Sequence, residues 1–267
     1  MESGHLRKCA SFTSWPRFVY IILDLISLGL ALSFFVSSIG HPYVGVNGVL
    51  KEGRWVIGTV DRSGLAYEAG IETGNAIVAI NGQPVEEFAA GLRYISTRAI
   101  DELTVVNSAG ELQSVVAAGS KLSSAALTEC VSFFVLSLSF WSAGLFVFAK
   151  KPNARLARLL CLLCLAIAVA VVAPLVGVRD ILWGRHMEIA SYLLVSPLFL
   201  HFFLLFPRGQ EPSGYSRHLP TILYVLSGII MLCYALFGYR HGIYYPWFRA
   251  IILADLTLGL TSGIIAL

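Results

Sequence analysis

The residues whose types could support catalysis are few and poorly placed for it. The sequence contains no His-Glu-x-x-His zinc motif, no Gly-x-Ser-x-Gly nucleophile turn and no glycine-rich phosphate loop. Cys161 and Cys164 have Cys-x-x-Cys spacing, but they lie in an apolar stretch without a second cysteine pair, which predicts small buried side chains. Thr261–Ser262–Gly263 is typical of close helix packing. The sequence therefore predicts no catalytic residue, no metal site and no cofactor.

Three ionisable residues inside long apolar stretches are the candidate intramembrane sites: Asp24, His201 and Asp255. Charged side chains are costly in hydrocarbon and normally face a partner or a cavity. Asp24 lies about 9 Å from the start of its stretch and His201 about 7–8 Å from the end of its own, at 1.5 Å per residue. On the topology given below both depths fall in one leaflet, so we expect an Asp24–His201 pair. The sequence names no partner for Asp255, and a hydrated or hydrogen-bonded structural site is the alternative for all three.

The composition indicates a membrane protein. Hydrophobic residues make up 57% and charged residues 13% of the chain, and the mean hydropathy is +0.75, whereas about a quarter of the residues of a soluble domain are charged. The net charge of +3 is too small to indicate nucleic-acid binding. The predicted fold is a multi-pass α-helical membrane protein with at least six spans, at residues 18–39, 126–149, 156–176, 189–206, 221–237 and 247–267.

Basic residues in the short segments between these spans predict the orientation, because lysine and arginine accumulate on the cytoplasmic side. With a cytoplasmic N-terminus (residues 1–17), the inner segments hold nine basic residues and the outer loops four. The inner set is Arg7, Lys8, Arg17, Lys150, Lys151, Arg155, Arg158, Arg208 and Arg217, and the outer set is Arg179, Arg185, Arg240 and Arg249. We therefore expect a cell-membrane protein with residues 41–122 outside. A cleaved signal peptide ending near Gly40 is the alternative for the first span.

Residues 41–122 have the pattern of one water-soluble α+β domain. Two apolar runs predict strands, a short helical turn ended by Gly70 lies between them, and an Asn-Gly pair predicts a hairpin turn. A helix is predicted over residues 86–98, with Phe88, Leu92 and Ile95 on one face, and residues 103–106 and 112–116 predict a closing hairpin. The earlier elements are Trp55–Val60, Leu65–Ala69, Ala76–Ile80 and Asn81–Gly82.

In this order the elements resemble a PDZ domain of the kind found in trypsin-like periplasmic proteases. Ala69–Gly70–Ile71 and Ile80–Asn81–Gly82 match the usual sequence motifs of that family. Glu72–Thr73–Gly74–Asn75 replaces its usual Pro-Gly-Asp motif. The segment Tyr43–Val44–Gly45–Val46 is similar to the Tyr-x-Gly-apolar loop whose N–H groups hold a peptide's C-terminal carboxylate in that family. The resemblance implies a peptide lying as an added strand between the next strand and the helix of Phe88, Leu92 and Ile95. An empty or covered groove is the alternative.

The end of the fourth predicted span carries a second resemblance. His201-Phe-Phe-Leu-Leu-Phe206-Pro207-Arg208 resembles the multi-span sensor region of bacterial receptor histidine kinases of the competence-pheromone receptor type. That family has an N-terminal helix and an extracytoplasmic PDZ-like module before its further spans. The resemblance implies the input part of a two-component sensor, a possible homodimer, and a kinase beyond Leu267. Because the last predicted span reaches Leu267 without a basic anchor, we expect the natural chain to continue.

These observations predict the membrane sensor region of a signal-transducing receptor. Its PDZ-like domain is expected to bind a peptide or an envelope protein, and its spans lie in the lipid bilayer. One alternative is a non-enzymatic membrane scaffold that docks partner tails. A second is the regulatory part of a membrane protease. This chain itself carries no kinase residues, so enzymatic activity is expected only from a further domain.

Overall fold

The computed structural model describes residues 17–89, 94–95, 100–177, 183–206, 218–238 and 245–265. The N-terminal residues Arg7 and Lys8, the Pro207–Arg208 helix end and Leu92 lie outside these ranges. Long helices flank one β domain, which we define as residues 43–117. The long helices are α1 (Arg17–Gly40), α4 (Ser124–Lys150), α5 (Arg155–Gly177), α6 (Gly184–Leu205), α7 (Leu219–Cys233) with a π-helical turn (Tyr234–Gly238), and α8 (Tyr245–Ile265).

Five of these helices are long and apolar enough to cross a membrane: α1, α4, α5, α6 and the helix Leu219–Leu236. Apolar helices long enough to span a membrane therefore lie where the first five spans were predicted, with boundaries within a few residues of those expected. The sixth predicted span is helical as α8, but its apolar part, Ala250–Ile264, is shorter than the other five. Its role as a span stays a prediction.

Helix α5 is the centre of the bundle. It packs against α1, α4 and α6, and α6 packs in turn against α7 and α8. Small residues permit the closest approaches: a Cβ added to Gly144 of α4 would lie 2.8 Å from the Cβ of Cys164. Cys161 and Cys164 are both buried, as the sequence predicts. They act as small apolar side chains at the α4–α5 interface.

The β domain is an antiparallel sheet of order β5-β1-β2-β3-β6-β7, with β4 paired to the end of β3. The predicted strands at Trp55–Val60 and Ala76–Ile80 and the closing hairpin are confirmed, as is the short helix before Gly70. Gly70 has φ +74°, the left-handed conformation that ends helices. The elements are β1 (Val46–Lys51), β2 (Arg54–Val60), α2 (Leu65–Glu68), β3 (Ala76–Ile80), β4 (Gln83–Pro84), α3 (Val85–Phe88), β5 (Tyr94–Ile95), β6 (Glu102–Val106) and β7 (Leu112–Val116).

The prediction of a helix over residues 86–98 is correct as far as Phe88 and wrong at Tyr94 and Ile95; residues 90–93 and 96–99 lie outside the described residues. Tyr94–Ile95 is a short strand that pairs with β1, placing Ile95 opposite Gly48 and Tyr94 opposite Val49. Tyrosine and isoleucine favour strands, and β1 offers an edge whose backbone groups need partners. Pairing with that edge therefore outweighs the helical spacing of the apolar residues.

Contacts at the two ends of the bundle show that α1 starts beside the α4–α5 connection. The guanidinium of Arg17 donates a hydrogen bond to Asn153 Oδ1 at 2.9 Å. At the other end, the hydroxyl of Ser38 in α1 lies 3.4 Å from the thiol sulfur of Cys130 in α4. The β domain connects α1 to α4 at this second end.

Candidate functional site

The segment Tyr43–Val46 is held by the turn between β2 and α2. The N–H groups of Asp61, Leu65 and Ala66 donate to the carbonyls of Gly45, Tyr43 and Val44, at 2.8, 3.1 and 2.9 Å respectively. All three carbonyls are therefore engaged by the body of the domain. Among the described residues, no acceptor lies on the N–H of Val44 or Gly45. A short loop with free N–H groups is the usual form of an anion-binding nest, but Val44 is 0% exposed and Gly45 is buried, so a carboxylate reaches these N–H groups only if the covering residues move.

Two glycines make this arrangement possible. Gly45 has φ +80°, and a Cβ on Gly64 would lie 2.5 Å from the Cα of Gly45 and 2.6 Å from the carbonyl oxygen of Val44. Any side chain at residue 64 would collide with the loop backbone. The glycine pair therefore fixes the loop against the start of α2.

A series of polar contacts connects this loop to helix α4. The hydroxyl of Tyr43 donates to Asp61 Oδ2 at 2.7 Å, and the N–H of Ser63 donates to Asp61 Oδ1 at 3.0 Å. The hydroxyl of Ser63 donates to the carboxylate of Glu129, in the second turn of α4. Glu129 is half-buried, and its neighbour Cys130 contacts Ser38 of α1. We name the contacts Tyr43–Asp61–Ser63–Glu129 the loop–helix link.

The predicted groove beside β1 is partly filled by the chain itself. Strand β5 pairs with β1 at Gly48 and Val49, and Ile95 is buried with 1% of its side chain exposed. A Cβ on Gly48 would lie 3.2 Å from the Cβ of Ile95, so the glycine allows this close contact. Phe88 is half-buried against the core of the domain. The role of Phe88, Leu92 and Ile95 in ligand binding stays a prediction, and a peptide pairing with β1 at these positions must displace β5.

The expected Asp24–His201 pair is not present. Asp24 is buried, and its carbonyl oxygen accepts a hydrogen bond of 3.1 Å from the indole N–H of Trp141 in α4. The ring of His201 packs edge-on against Tyr224 of α7, with ring centroids 6.2 Å apart. Among the described residues Asp24 makes no ion pair. Equal depth along two helices does not bring side chains together, because α1 packs against α4 and α5, whereas His201 contacts α7.

The structure supplies the partners of Asp255 that the sequence does not indicate. Asp255 is 4% exposed, and the hydroxyl of Ser227 in α7 lies 3.3 and 3.4 Å from its two carboxylate oxygens. The hydroxyl of Ser196 in α6 donates to the carbonyl oxygen of Asp255 at 2.8 Å. The three residues join α6, α7 and α8 near the middle of each helix. This is the hydrogen-bonded structural site that was the alternative to a charged pair.

Sequence reasoning did not identify Asp61, Ser63, Glu129 and Trp141. Glu129 had a usable signal, since it is an acidic residue near the start of a predicted span. Comparison with protein-family models, with curated proteins and with solved structures gives no match to this chain. In the part of the chain that the structure describes, no three potential ligand residues are grouped to bind a metal ion.

Proposed function

We propose that this chain is the membrane sensor region of a signal-transducing receptor whose β domain is PDZ-like and lies outside the cell. Its loop Tyr43–Val46 binds the C-terminal carboxylate of a peptide or envelope protein. The observation that carries the proposal is the loop–helix link, because it connects the predicted ligand loop directly to a membrane helix. An output of the receptor histidine kinase type rests on the sequence resemblance of the His201–Arg208 segment alone.

The positions of charged residues support the orientation. Arg17 lies beside the α4–α5 connection, so the basic residues Lys150, Lys151 and Arg155 belong to the same end of the bundle as the start of α1. The β domain is inserted at the opposite end. Lysine and arginine favour the cytoplasmic side, which supports an N-terminus inside and a β domain outside.

The geometry of the loop–helix link supports a route for signal transfer. A carboxylate at the N–H groups of Val44 and Gly45 introduces a negative charge near Asp61, whose two carboxylate oxygens hold Tyr43 and Ser63. A change at Ser63 alters its bond to Glu129 and thereby the position of α4. The ligand must bind one arrangement of α4 more tightly than the other, since equal affinity shifts no population.

The ligand-binding step is tested with peptides that carry random C-terminal residues and are immobilised by their N-termini. We expect the full chain in detergent to be captured by peptides with a free C-terminal carboxylate and not by the same peptides with an amidated C-terminus. Capture that is equal for the two forms would refute carboxylate binding by the loop. Retention by neither form would refute the peptide-sensor proposal.

Glu129→Ala tests the transfer step separately. We expect captured peptides to bind the variant within about twofold of the wild-type affinity, because Glu129 does not touch the ligand loop. Hydrogen exchange in the first turns of α4 should no longer respond to peptide, since the hydrogen bond to a charged group, ordinarily stabilising by about 1.5–3 kcal/mol, is lost.

Glu111→Ala is the matched control for Glu129→Ala, because Glu111 is exposed in the turn between β6 and β7 and, among the described residues, hydrogen-bonds only with Asn107. It should leave the peptide response of α4 unchanged. An α4 response in Glu129→Ala equal to that of the wild type would show that the loop–helix link does not transmit the signal.

A further inference from the structure

A cavity of about 370 Å³ lies between α1, α5 and α6, inside the predicted membrane region. Its walls are aliphatic, with Leu30 of α1, Val169 of α5 and Leu194 of α6 among them. The volume is within the range of ligand pockets, about 300–1,000 Å³. Met187 and Leu194 on the α6 wall are 37% and 44% exposed, so the cavity opens sideways between the helices.

The cavity is elongated along the helix axes. Its α6 wall extends from Met187 to Leu198, a distance of about 16 Å at 1.5 Å per residue. An extended hydrocarbon chain lying parallel to the helices has this shape. Because the opening faces the bilayer, a lipid-soluble molecule can enter it without crossing water.

Ser27 of α1 is a polar group that lines this apolar cavity. It is 5% exposed, and its hydroxyl has no hydrogen-bond partner among the described residues. Other hydroxyls in the spans bond to their own helix: Ser132 to the carbonyl of Thr128 and Ser139 to that of Val135, at 2.7 and 2.8 Å. A buried hydroxyl without a partner costs about 1–3 kcal/mol. An acceptor supplied by a ligand in the cavity would remove this cost.

The depth of Ser27 restricts what that acceptor can be. Ser27 follows Arg17 by ten residues, which places it about 15 Å along the helix and near the centre of a hydrocarbon core about 30 Å thick. The ester and phosphate groups of a phospholipid remain near the interface. A charged group at this depth is costly. The acceptor is therefore neutral, and a carbonyl oxygen fits the hydroxyl of Ser27. The other lining serine, Ser191, already donates to the carbonyl oxygen of Glu188 at 2.8 Å.

We propose that this cavity binds a neutral single-chain lipid whose carbonyl oxygen accepts a hydrogen bond from Ser27, the chemistry shared by long-chain ketones and lipid quinones. The chain occupies the aliphatic part of the cavity between α1, α5 and α6. This site is separate from the peptide site proposed above and does not depend on it. A ligand here bridges α1 to α6 and so stabilises one arrangement of three spans.

The test uses the purified full chain in detergent with two probes of equal chain length, 2-tetradecanone and tetradecane, which differ in one carbonyl group. Apparent dissociation constants come from the dependence of the thermal unfolding midpoint on probe concentration. We expect the ketone to bind about tenfold more tightly than the alkane, which is the usual contribution of one hydrogen bond. Ser27→Ala should weaken ketone binding to the level of the alkane and leave alkane binding unchanged.

Ala190→Phe, which fills the cavity from the α6 wall, should abolish the binding of both probes. Ser139→Ala and Ala143→Phe are matched controls on an exposed face of α4, and both should behave as wild type. A parallel titration with decylbenzoquinone distinguishes the two ligand classes, ketones and quinones. The compound that binds more tightly, and whose advantage is lost in Ser27→Ala, supports the site and identifies the class.

Four results would overturn the proposal. The first is equal binding of ketone and alkane by the wild type, and the second is unchanged binding by Ala190→Phe. The third is a combination of two findings: the wild type is a dimer by mass and does not respond to the probes, whereas Ala190→Phe is a monomer. That result would identify a second copy of the chain as the occupant of the cavity. Stabilisation by phosphatidylglycerol alone would likewise assign the cavity to a bilayer phospholipid and exclude the neutral ligand.

Discussion

Gly64→Ala is expected to lower the free energy of unfolding of the β domain by about 2–3 kcal/mol, the upper part of the range for overpacked sites. The added Cβ would lie 2.5 Å from the Cα of Gly45 and 2.6 Å from the carbonyl oxygen of Val44. Both contacts are with backbone, so no side-chain rotation relieves them. Because the loop must move, we also expect capture by free-carboxylate peptides to fall at least tenfold.

The measurement is hydrogen exchange of the β2 and β6 amides in the full chain, which reports the opening free energy of the sheet. Gly58→Ala is the control in the same domain. Its Cβ would lie 3.0 and 3.2 Å from the methyl groups of Val49, which can shift, and 3.5 Å from the carbonyl oxygen of Asn47, an ordinary van der Waals distance. Exchange in Gly64→Ala that matches exchange in Gly58→Ala would show that the loop does not require the close approach of the two glycines.

Gly259→Ala is expected to destabilise the helical bundle by about 2 kcal/mol and to disrupt the contacts of Asp255. The new Cβ would lie 2.2 Å from the hydroxyl oxygen of Ser196 and 2.7 Å from its carbonyl oxygen. The hydroxyl can rotate, but the carbonyl cannot, so α8 must move away from α6. That movement breaks the hydrogen bond from the hydroxyl of Ser196 to the carbonyl oxygen of Asp255.

Unfolding of the purified chain in detergent, followed by its helical circular dichroism, measures this effect. Gly228→Ala is the control, because it lies in α7 beside Ser227 and an added Cβ there meets no atom within 4 Å. Alanine favours helix by about 1 kcal/mol over glycine, so this control should be neutral or more stable than wild type. A Gly259→Ala variant as stable as Gly228→Ala would show that α6 and α8 are not in close contact.

The sequence predicts most elements of the fold because their signals are local. Strands β2, β3, β6 and β7 follow from apolar runs bounded by turn residues, and the spans follow from apolar length. Strand β5 was missed because its two residues become a strand only through pairing with β1. The periodicity of residues 86–98 carries no information about pairing with β1, which lies far away in the sequence.

The candidate sites were less predictable for a similar reason. The sequence identifies Asp24 and Asp255 as unusual residues, since charge in an apolar stretch is a local signal. Their partners depend on which helix faces which: Trp141 contacts Asp24, and Ser227 contacts Asp255. The Asp24–His201 pair was expected from the depth of the two residues in the membrane alone. Depth does not specify which helices are neighbours.

The insertion of the β domain between α1 and α4 sets an order for the assembly of the chain. Ser38 and Cys130 are in contact although they are 92 residues apart, so α1 and α4 cannot pack without closing a long loop. The entropic cost of closure grows with the number of flexible residues in the loop. Once the β domain folds, its two ends are held close together and only short connections remain to be closed. We therefore expect folding of the β domain to promote the pairing of α1 with α4, and a variant that unfolds the β domain should also slow the assembly of the helices.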